Sequence, residues 1–397
     1  MVELFSTCGN MDPEVSVITL NWNGWRDTLE CLASLYHIDY DNYRVILVDN
    51  ASTDDSLAKI EAYCTKELNL GSYFTEGSVR NKPIKIVHYA PADAEHGADR
   101  GGGAQRADRA LTVIQNDQNY GYAEGNNIGV AYALNAFDPD YVLLLNNDTV
   151  VDRHFLRALV NAAENDEQIG LLQPKMLRYA DAMIDNTGNV CDRLAYCEPR
   201  GLGEVDVGQY DHERISGGFY IASGACVLIR KALLTALSGE CFDPHLFAYY
   251  EDVDLSWMVR LLGFKVGYSP DSVCYHKGSA TFGNCNPYIS YLSERNRLRV
   301  LIKNYAPRTL FFVLPLTVVL KSAVLPVQCA VNLDLRYLAS FLKAVAWNVH
   351  QLRNSLALRR RLQSQRKVPD DEIKRYMTSF SFKPRRKLLQ QWRRQCK

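Results

Sequence analysis

Two acidic clusters, about a hundred residues apart, constrain this chain more than any other feature. The first is Leu143-Leu144-Leu145-Asn146-Asn147-Asp148, an apolar run that stops on a carboxylate. The second is Tyr249-Tyr250-Glu251-Asp252-Val253-Asp254-Leu255, in which carboxylates open an amphipathic stretch. An apolar run ending in Asn-Asn-Asp predicts a buried parallel strand with acid at its C-terminal tip. Open α/β sheets bind ligands outside the strand C-termini. One carboxylate is thus placed to hold a divalent cation, and the other to act as a base on a substrate hydroxyl.

The chain around these clusters reads as α/β. Val15 to Leu20 predicts a strand, followed by a polar turn at Asn21-Trp22-Asn23-Gly24 and a helix with Leu29, Leu32, Ala33 and Leu35 on one face. Val45 to Asp49 predicts a second buried strand, and Ser52-Thr53-Asp54 a helix entry, giving a right-handed parallel β-α-β opening. Further strands are expected at Ile84 to Val87 and Leu111 to Ile114. The glycine-bearing turn from Asn119 to Asn127 predicts a helix start able to face an anion or nucleotide. Helices are expected from about Asp152 to Asn165 and from Val253 to Leu262, and a short strand at Val273 to His276. Residues 170 to 218 read as polar and irregular, and residues 90–110, with Gly101-Gly102-Gly103, as a flexible insertion. Phe219 to Ile229 reads as a strand broken at Ser223-Gly224-Ala225.

With 397 residues, one large domain plus an extension fits. Formal net charge is zero but uneven, because Arg353 to Lys397 is strongly basic. Leu310 to Val331 is apolar, yet Pro315, Lys321 and Pro326 argue against a straight bilayer span and for an in-plane segment or helical hairpin. The eleven cysteines form no Cys-x-x-Cys pair and are expected to be reduced thiols, Cys191 and Cys197 included. Met1 to Asn10 has neither a basic start nor an apolar core, so no signal peptide is expected.

These segments, in this order, resemble the family 2 inverting glycosyltransferases with a GT-A fold, and within them the rhamnosyltransferase-like branch that builds surface polysaccharides and glycans. The resemblance runs from about Val15 to Asn304 and rests on Val48 to Asp54, Asn119-Tyr120-Gly121, Gly125-Asn126-Asn127, Asn146-Asn147-Asp148, Ser223-Gly224-Ala225, Glu251 to Leu255 and His276. It implies a Rossmann-type, mostly parallel sheet flanked by helices over residues 1–304, with an apolar, then basic, helical extension over 305–397. The implied reaction moves a sugar from a UDP or dTDP donor to an acceptor hydroxyl, with inversion.

The resemblance also implies roles. Asp148 and His276 would hold Mn2+ or Mg2+; imidazole favours manganese. The family's motif has aspartate on both sides of a middle residue, whereas this chain has Asn146 at the first position. Asp252 would be the base and Glu251 its support, while Asp254 would favour the helix N-terminus. Asp49 would contact the nucleobase, with Asn21, Asn119 and Asn147 also in the nucleotide pocket. Ser223, Gly224 and Tyr250 would face the acceptor, a glycan or lipid-linked sugar. The tail suggests peripheral attachment at the inner face of the cell membrane and no nucleic-acid partner. A nucleotide-sugar pyrophosphorylase is disfavoured, because Asn21-Trp22-Asn23-Gly24-Trp25 stands where that class carries a basic Gly-rich loop. An inactive sugar-binding scaffold is the remaining alternative.

Overall fold

The computed structural model describes residues 12–65, 84–89, 110–212, 220–278 and 286–378. The expected insertion at 90–110 lies almost entirely outside them, as do the basic runs at Arg385 and Arg393.

The first half alternates strand and helix. Its elements are β1 (Val15–Asn21), α1 (Trp25–Leu35), β2 (Tyr43–Asp49), α2 (Ser56–Cys64), β3 (Ile86–Tyr89), β4 (Leu111–Gln115), α3 (Gly121–Ala136), β5 (Tyr141–Leu145), β6 (Thr149–Val151) and α4 (Phe155–Glu164). The second half holds β7 (Ile169–Arg178), β8 (Ile184–Asn186), β9 (Asn189–Cys191), β10 (Cys197–Pro199), β11 (Tyr220–Ile221), β12 (Cys226–Arg230), α5 (Lys231–Ala236), α6 (Glu251–Leu261) and β13 (Lys265–His276). Helices α7 (Pro287–Asn304), α8 (Pro307–Asn332), α9 (Arg336–His350), α10 (Leu352–Ser364) and α11 (Asp370–Tyr376) complete the described chain.

The main sheet runs β3-β4-β2-β1-β5-β12-β7-β13-β6, with β8 beside β7. From β3 to β5 every pairing is parallel, so the C-terminal tips of β1, β2 and β5 share one edge. These strands are covered on both faces, which is why Val45 to Val48 and Tyr141 to Leu145 are unbroken apolar runs. Helix α3 lies close against this sheet. A Cβ on Gly125 would stand 2.7 Å from Leu20 and one on Gly129 2.6 Å from Ile18, so only glycine permits that approach. A small second sheet runs β10-β9-β11.

Two expectations are corrected. The stretch read as irregular from residue 170 holds the ten-residue buried strand β7, parallel to β13 and antiparallel to β12. Its polar middle is satisfied by distant partners: the Gln173 amide donates to Asn186, and the Lys175 amine pairs with Asp206 (2.9 Å) and Asp211 (2.7 Å). Cys191 and Cys197 are joined as a disulfide rather than reduced, because the β9–β10 register sets them opposite each other with Cα atoms 4.1 Å apart. Asp254 stands in the first turn of α6, as expected, and is in addition buried and paired with Lys303 and Asn304 of α7 (Asn304 at 2.9 Å).

Beyond residue 304 the chain packs back onto the sheet-bearing part. Val313, Leu362, Ile373 and Met377 join the main core, Arg299 donates to Ser355 Oγ (2.7 Å), and Arg359 donates to the carbonyls of Ile302 and Tyr305. Helix α8 runs unbroken through Pro315 and Pro326 and folds against α9 as a hairpin.

Candidate active site

At the tips of β1 and β2 the polar side chains form a closed network. The Asn21 amide donates to Asp49 Oδ1 (2.7 Å) and Ser52 Oγ (3.0 Å) and accepts from Thr28 Oγ1 (2.8 Å). Asp49 also accepts from the Ser52 backbone N–H (3.0 Å) and hydroxyl (2.6 Å). Both Asn21 and Asp49 are wholly buried, so they set the floor and the loop at 50–54 rather than projecting outward. Asn50 is the hub to the next loop: it donates to Asn119 Oδ1 (2.9 Å) and the Gly121 carbonyl (3.0 Å) and accepts from Asn116 (3.0 Å) and the Tyr120 N–H (3.1 Å). Asn119 accepts in turn from the Gly121 N–H (2.8 Å), holding the start of α3. Asn147 donates to Thr28 Oγ1 (2.9 Å), which joins the β5 tip to this network.

Asp148 and His276 come together as expected. After β5 the chain turns at Asn146–Asp148 and returns as β6, whose Thr149 lies opposite His276 on β13. His276 Nε2 is 3.4 Å from Asp148 Oδ1, and its Nδ1 is 2.9 Å from Asp185 Oδ2 on β8. Burial works against an imidazolium here, but the two carboxylates outweigh it and push His276 up to about 10. A position that holds a proton between carboxylates is one that a cation can take. Asp148 Oδ1 is buried and has no well-formed hydrogen bond beyond the 3.4 Å approach of His276, and the Asp185 contact fixes the ring as the outer partner of a metal-ligating histidine does. The carboxylate and imidazole therefore fit a divalent cation. Among the described residues no third His, Cys, Asp or Glu completes the set, so further ligands must come from elsewhere.

The second acidic cluster sits at the same edge. The Asn146 N–H donates to the Ala225 carbonyl (2.8 Å), placing the loop before β12 against the β5 tip. Ser223 is held by its N–H to Gln173 Oε1 (2.7 Å), and the Gly224 carbonyl accepts from Tyr122 OH (2.5 Å). A Cβ on Gly224 would lie 3.6 Å from both Asp252 Cβ and Glu251 Oε1, so this glycine borders the acid pair. Burial, then the Asp252 and Asp254 carboxylates, push Glu251 up to about 8. Burial also raises Asp252, opposed by the backbone N–H groups of Val253, Gly224 and Asp252 itself. The pair thus holds a proton on Glu251 through neutral pH while donors favour the Asp252 anion.

This assignment has a consequence for stability. Glu251 takes up a proton on folding between its ordinary value of 4.5 and about 8, so folding is weakened as pH rises through that window. Glu251→Gln removes the titration while keeping the shape. In metal-free buffer its melting temperature should gain on that of the unsubstituted protein by a few degrees between pH 5 and pH 8.5. A difference that does not change with pH would contradict the protonated Glu251.

The acid pair is aimed by a strained turn. Phe247, Tyr249 and Tyr250 all have positive φ (63°, 70° and 71°), each costing about 1–3 kcal/mol in a non-glycine residue. Helix α7 holds them there. The wholly buried Asn296 amide donates to the carbonyls of Leu246 (2.8 Å), Ala248 (2.9 Å) and Tyr249 (2.6 Å), and Arg295 donates to those of His245 (3.0 Å) and Leu246 (2.6 Å). Gly121, itself at φ 76°, lets α3 meet the Phe247 carbonyl, where a Cβ would come within 2.6 Å. Tyr250 uses its hydroxyl on the Ala195 carbonyl (2.9 Å), so its ring is fixed beside the acids.

The family model described as "Glycosyltransferase like family 2" matches residues 100–299, half of the 397-residue chain. This chain belongs to that family. The "Glycosyl transferase family 2" model also matches residues 16–80, which carry β1, β2 and the Asp49 loop. Among curated relatives of this glycosyltransferase family, the low-salt glycan biosynthesis hexosyltransferase Agl10 of Haloferax volcanii is 21% identical over 161 residues, 40% of this chain and 48% of the relative. The poly-beta-1,6-N-acetyl-D-glucosamine synthase of Staphylococcus aureus is 23% identical over 167 residues, 42% of this chain and 36% of the relative. The matches thus span less than half the length of these relatives. The structure of GalNAc-T7 with UDP, GalNAc and Mn2+ superposes with a TM-score of 0.51 at 15% identity, covering 76% of this chain and 49% of that one, and shows the shared GT-A-like fold.

Within this family architecture four residues escape sequence reasoning. Asn50 lies inside a quoted segment, but its role as a hub appears only when the β4–α3 loop is beside it. Asp185 and Gln173 lie in the stretch that reads as irregular, and Asn296 lies on α7 among charged residues. None of these three carries a local signal.

Proposed function

We propose that this chain is an inverting, metal-dependent glycosyltransferase that moves a hexosyl or deoxyhexosyl group from a nucleoside diphosphate sugar to an acceptor hydroxyl in glycan or polysaccharide synthesis. The observation that carries the reading is the meeting of two acidic centres at one sheet edge, linked through the Asn146–Ala225 hydrogen bond of 2.8 Å. Asp252 accepts the proton of the acceptor hydroxyl as its oxygen bonds to the anomeric carbon and the bond from that carbon to the diphosphate breaks. Glu251 keeps a proton beside Asp252, and Gly224 and Tyr250 flank the acceptor position. Asp148 and His276 would hold a divalent cation, which would supply charge neutralisation for the departing diphosphate. Manganese suits the imidazole, and the GalNAc-T7 structure of the same fold binds Mn2+.

The β1–β2 network supports a nucleotide site built around Asp49, Asn21, Asn119 and Asn147. A uridine or thymidine base can donate its imide N–H to Asp49 once the Ser52 hydroxyl gives way. Asp49→Ala should therefore raise the donor Kd far more than it lowers single-turnover transfer at saturating donor, because a base contact is made equally before and during reaction. Unchanged donor affinity with depressed turnover would contradict this placement. The exposed apolar face of α8 supports action at a membrane surface, on the inner face of the cell membrane, near a lipid-linked acceptor. The whole reading is tested by screening nucleotide sugars for thermal shift with and without Mn2+, then assaying transfer with each one that binds. Binding of no nucleoside diphosphate sugar under either condition would reject it.

A further inference from the structure

From Pro307 to Pro369 the chain carries ten Lys or Arg residues and one acid, Asp334. That acid is already paired with Arg336 (2.9 Å). Lys343, Arg353 and Arg360 are exposed, and no ion pair engages them among the described residues. Lys343 lies on α9 and the two arginines on α10, while α8, α9 and the turn between them expose large apolar side chains: Phe311 (74%), Phe312 (66%), Leu333 (94%), Leu335 (77%), Leu342 (58%) and Val349 (69%). Between α8 and α9 lies a cavity of about 580 Å³, lined chiefly by Leu325, Cys329, Ala330, Leu338, Phe341 and Leu342. Its size falls within the ordinary range for a small-molecule site.

Helix α8 is long and apolar enough to cross a bilayer, but one side of it is held by the protein. Lys321, near its middle, pairs with the buried Glu294 of α7 (2.8 Å), and Val313 and Thr317 are buried against the protein. Leaving that face would break one of the two ion pairs of the buried Glu294 carboxylate, the other being to Arg297. The helix can offer lipid only its outer side.

We infer that the α8–α9 hairpin lies in the plane of one leaflet of an anionic bilayer and seats one acyl chain of an anionic phospholipid in the cavity between its helices. The inference rests on the membrane-surface reading above and adds the surface, the lipid class and the mode of entry. Apolar side chains supply insertion and unpaired cations supply headgroup attraction, the two signals that stable peripheral attachment needs. The near absence of acid over 63 residues is what selects an anionic surface over a neutral one.

The test uses the full chain in three arms. Co-sedimentation with vesicles of phosphatidylcholine, alone or mixed with phosphatidylglycerol, should show binding that needs phosphatidylglycerol and weakens in high salt. Phe312→Ser with Leu333→Ser, both at exposed positions, should lose affinity by roughly tenfold or more. Dihexanoyl-phosphatidylglycerol below its micelle concentration should bind one-to-one by calorimetry, and Ala330→Trp, which fills the cavity, should abolish that signal while melting near the unsubstituted protein. Full recovery in the supernatant with anionic vesicles at low salt overturns the inference. So does a dimer that Leu342→Ser dissociates and that binds no lipid, since a second copy then covers the face. Sugar transfer to a soluble acceptor, run in parallel, separates the readings: transfer without vesicle binding sinks this inference alone, and vesicle binding without transfer of any donor sinks the proposed activity alone.

Discussion

Asp252→Asn is expected to fold, to bind donor normally and to lose turnover by a factor on the order of a hundred or more, the usual contribution of a positioned base. The substitution keeps the shape and the acceptor oxygen that takes the Val253 N–H (2.7 Å), so the loop at Gly224 has no reason to move. What it removes is basicity. Asp252 is chosen over its neighbour because backbone N–H groups favour its anion, whereas Glu251 has a buried oxygen without a partner and is pushed up to about 8. Burial raises both carboxyls, and the backbone donors that favour an anion converge on Asp252. Glu251→Gln should accordingly keep more activity than Asp252→Asn, since an amide can replace a protonated carboxyl as a donor. Single-turnover transfer with each variant, alongside donor-induced thermal shift, decides it. Near-normal transfer by Asp252→Asn with a dead Glu251→Gln would exchange the two roles.

The parts of this site that the sequence reveals are those made by contiguous residues. Parallel strands covered on both faces are apolar runs that stop on polar residues, so β1, β2, β4 and β5, with Asp49 and Asp148 at or near their tips, are legible locally. The acid pair is legible because three acids crowd the first turn of α6. Strand β7 is not, since Gln173-Pro174-Lys175 breaks its apolar pattern and the partners that make those residues tolerable lie 13 to 50 residues away. Helix α7 is hidden for the same reason. Arg297 and Arg299 are both wholly buried, one against Glu294 and the Tyr196 ring (4.0 Å) and the other bidentate to Asp243. Its buried Asn296 then sets the turn that aims Glu251 and Asp252. The prolines of α8 are read too strongly as breaks. The carbonyls that they leave without a donor belong to Phe311 and Ser322, both exposed residues, which reduces the cost of keeping the helix.

Asp148→Ala is the second large effect expected: loss of the metal-dependent thermal shift given by a donor, and loss of transfer to below a hundredth of the unsubstituted rate. Removing a single preorganised stabilising group at a site of developing charge costs about 10²–10³ in rate, and here the group would also carry the cation. The size of the effect follows from how little else is available. Asn146 stands where a second carboxylate would be, and among the described residues no third acid, histidine or cysteine is placed to share a cation with Asp148 and His276, Asp185 reaching only the far nitrogen of the ring. A site with two protein ligands depends on each of them and on the diphosphate, so donor and cation should bind together rather than independently. Asp148→Asn gives the cleaner control, because it preserves volume and a contact to His276 while removing the charge. Both variants should still bind free nucleoside more nearly normally than nucleoside diphosphate, since the Asn21–Asp49–Asn50 network is untouched. The expected pattern in calorimetry is a donor Kd that tightens with Mn2+ in the unsubstituted protein and is indifferent to Mn2+ in either variant. Full activity in EDTA, or in Asp148→Ala, would remove the cation from the mechanism and leave His276 as the charge that meets the diphosphate.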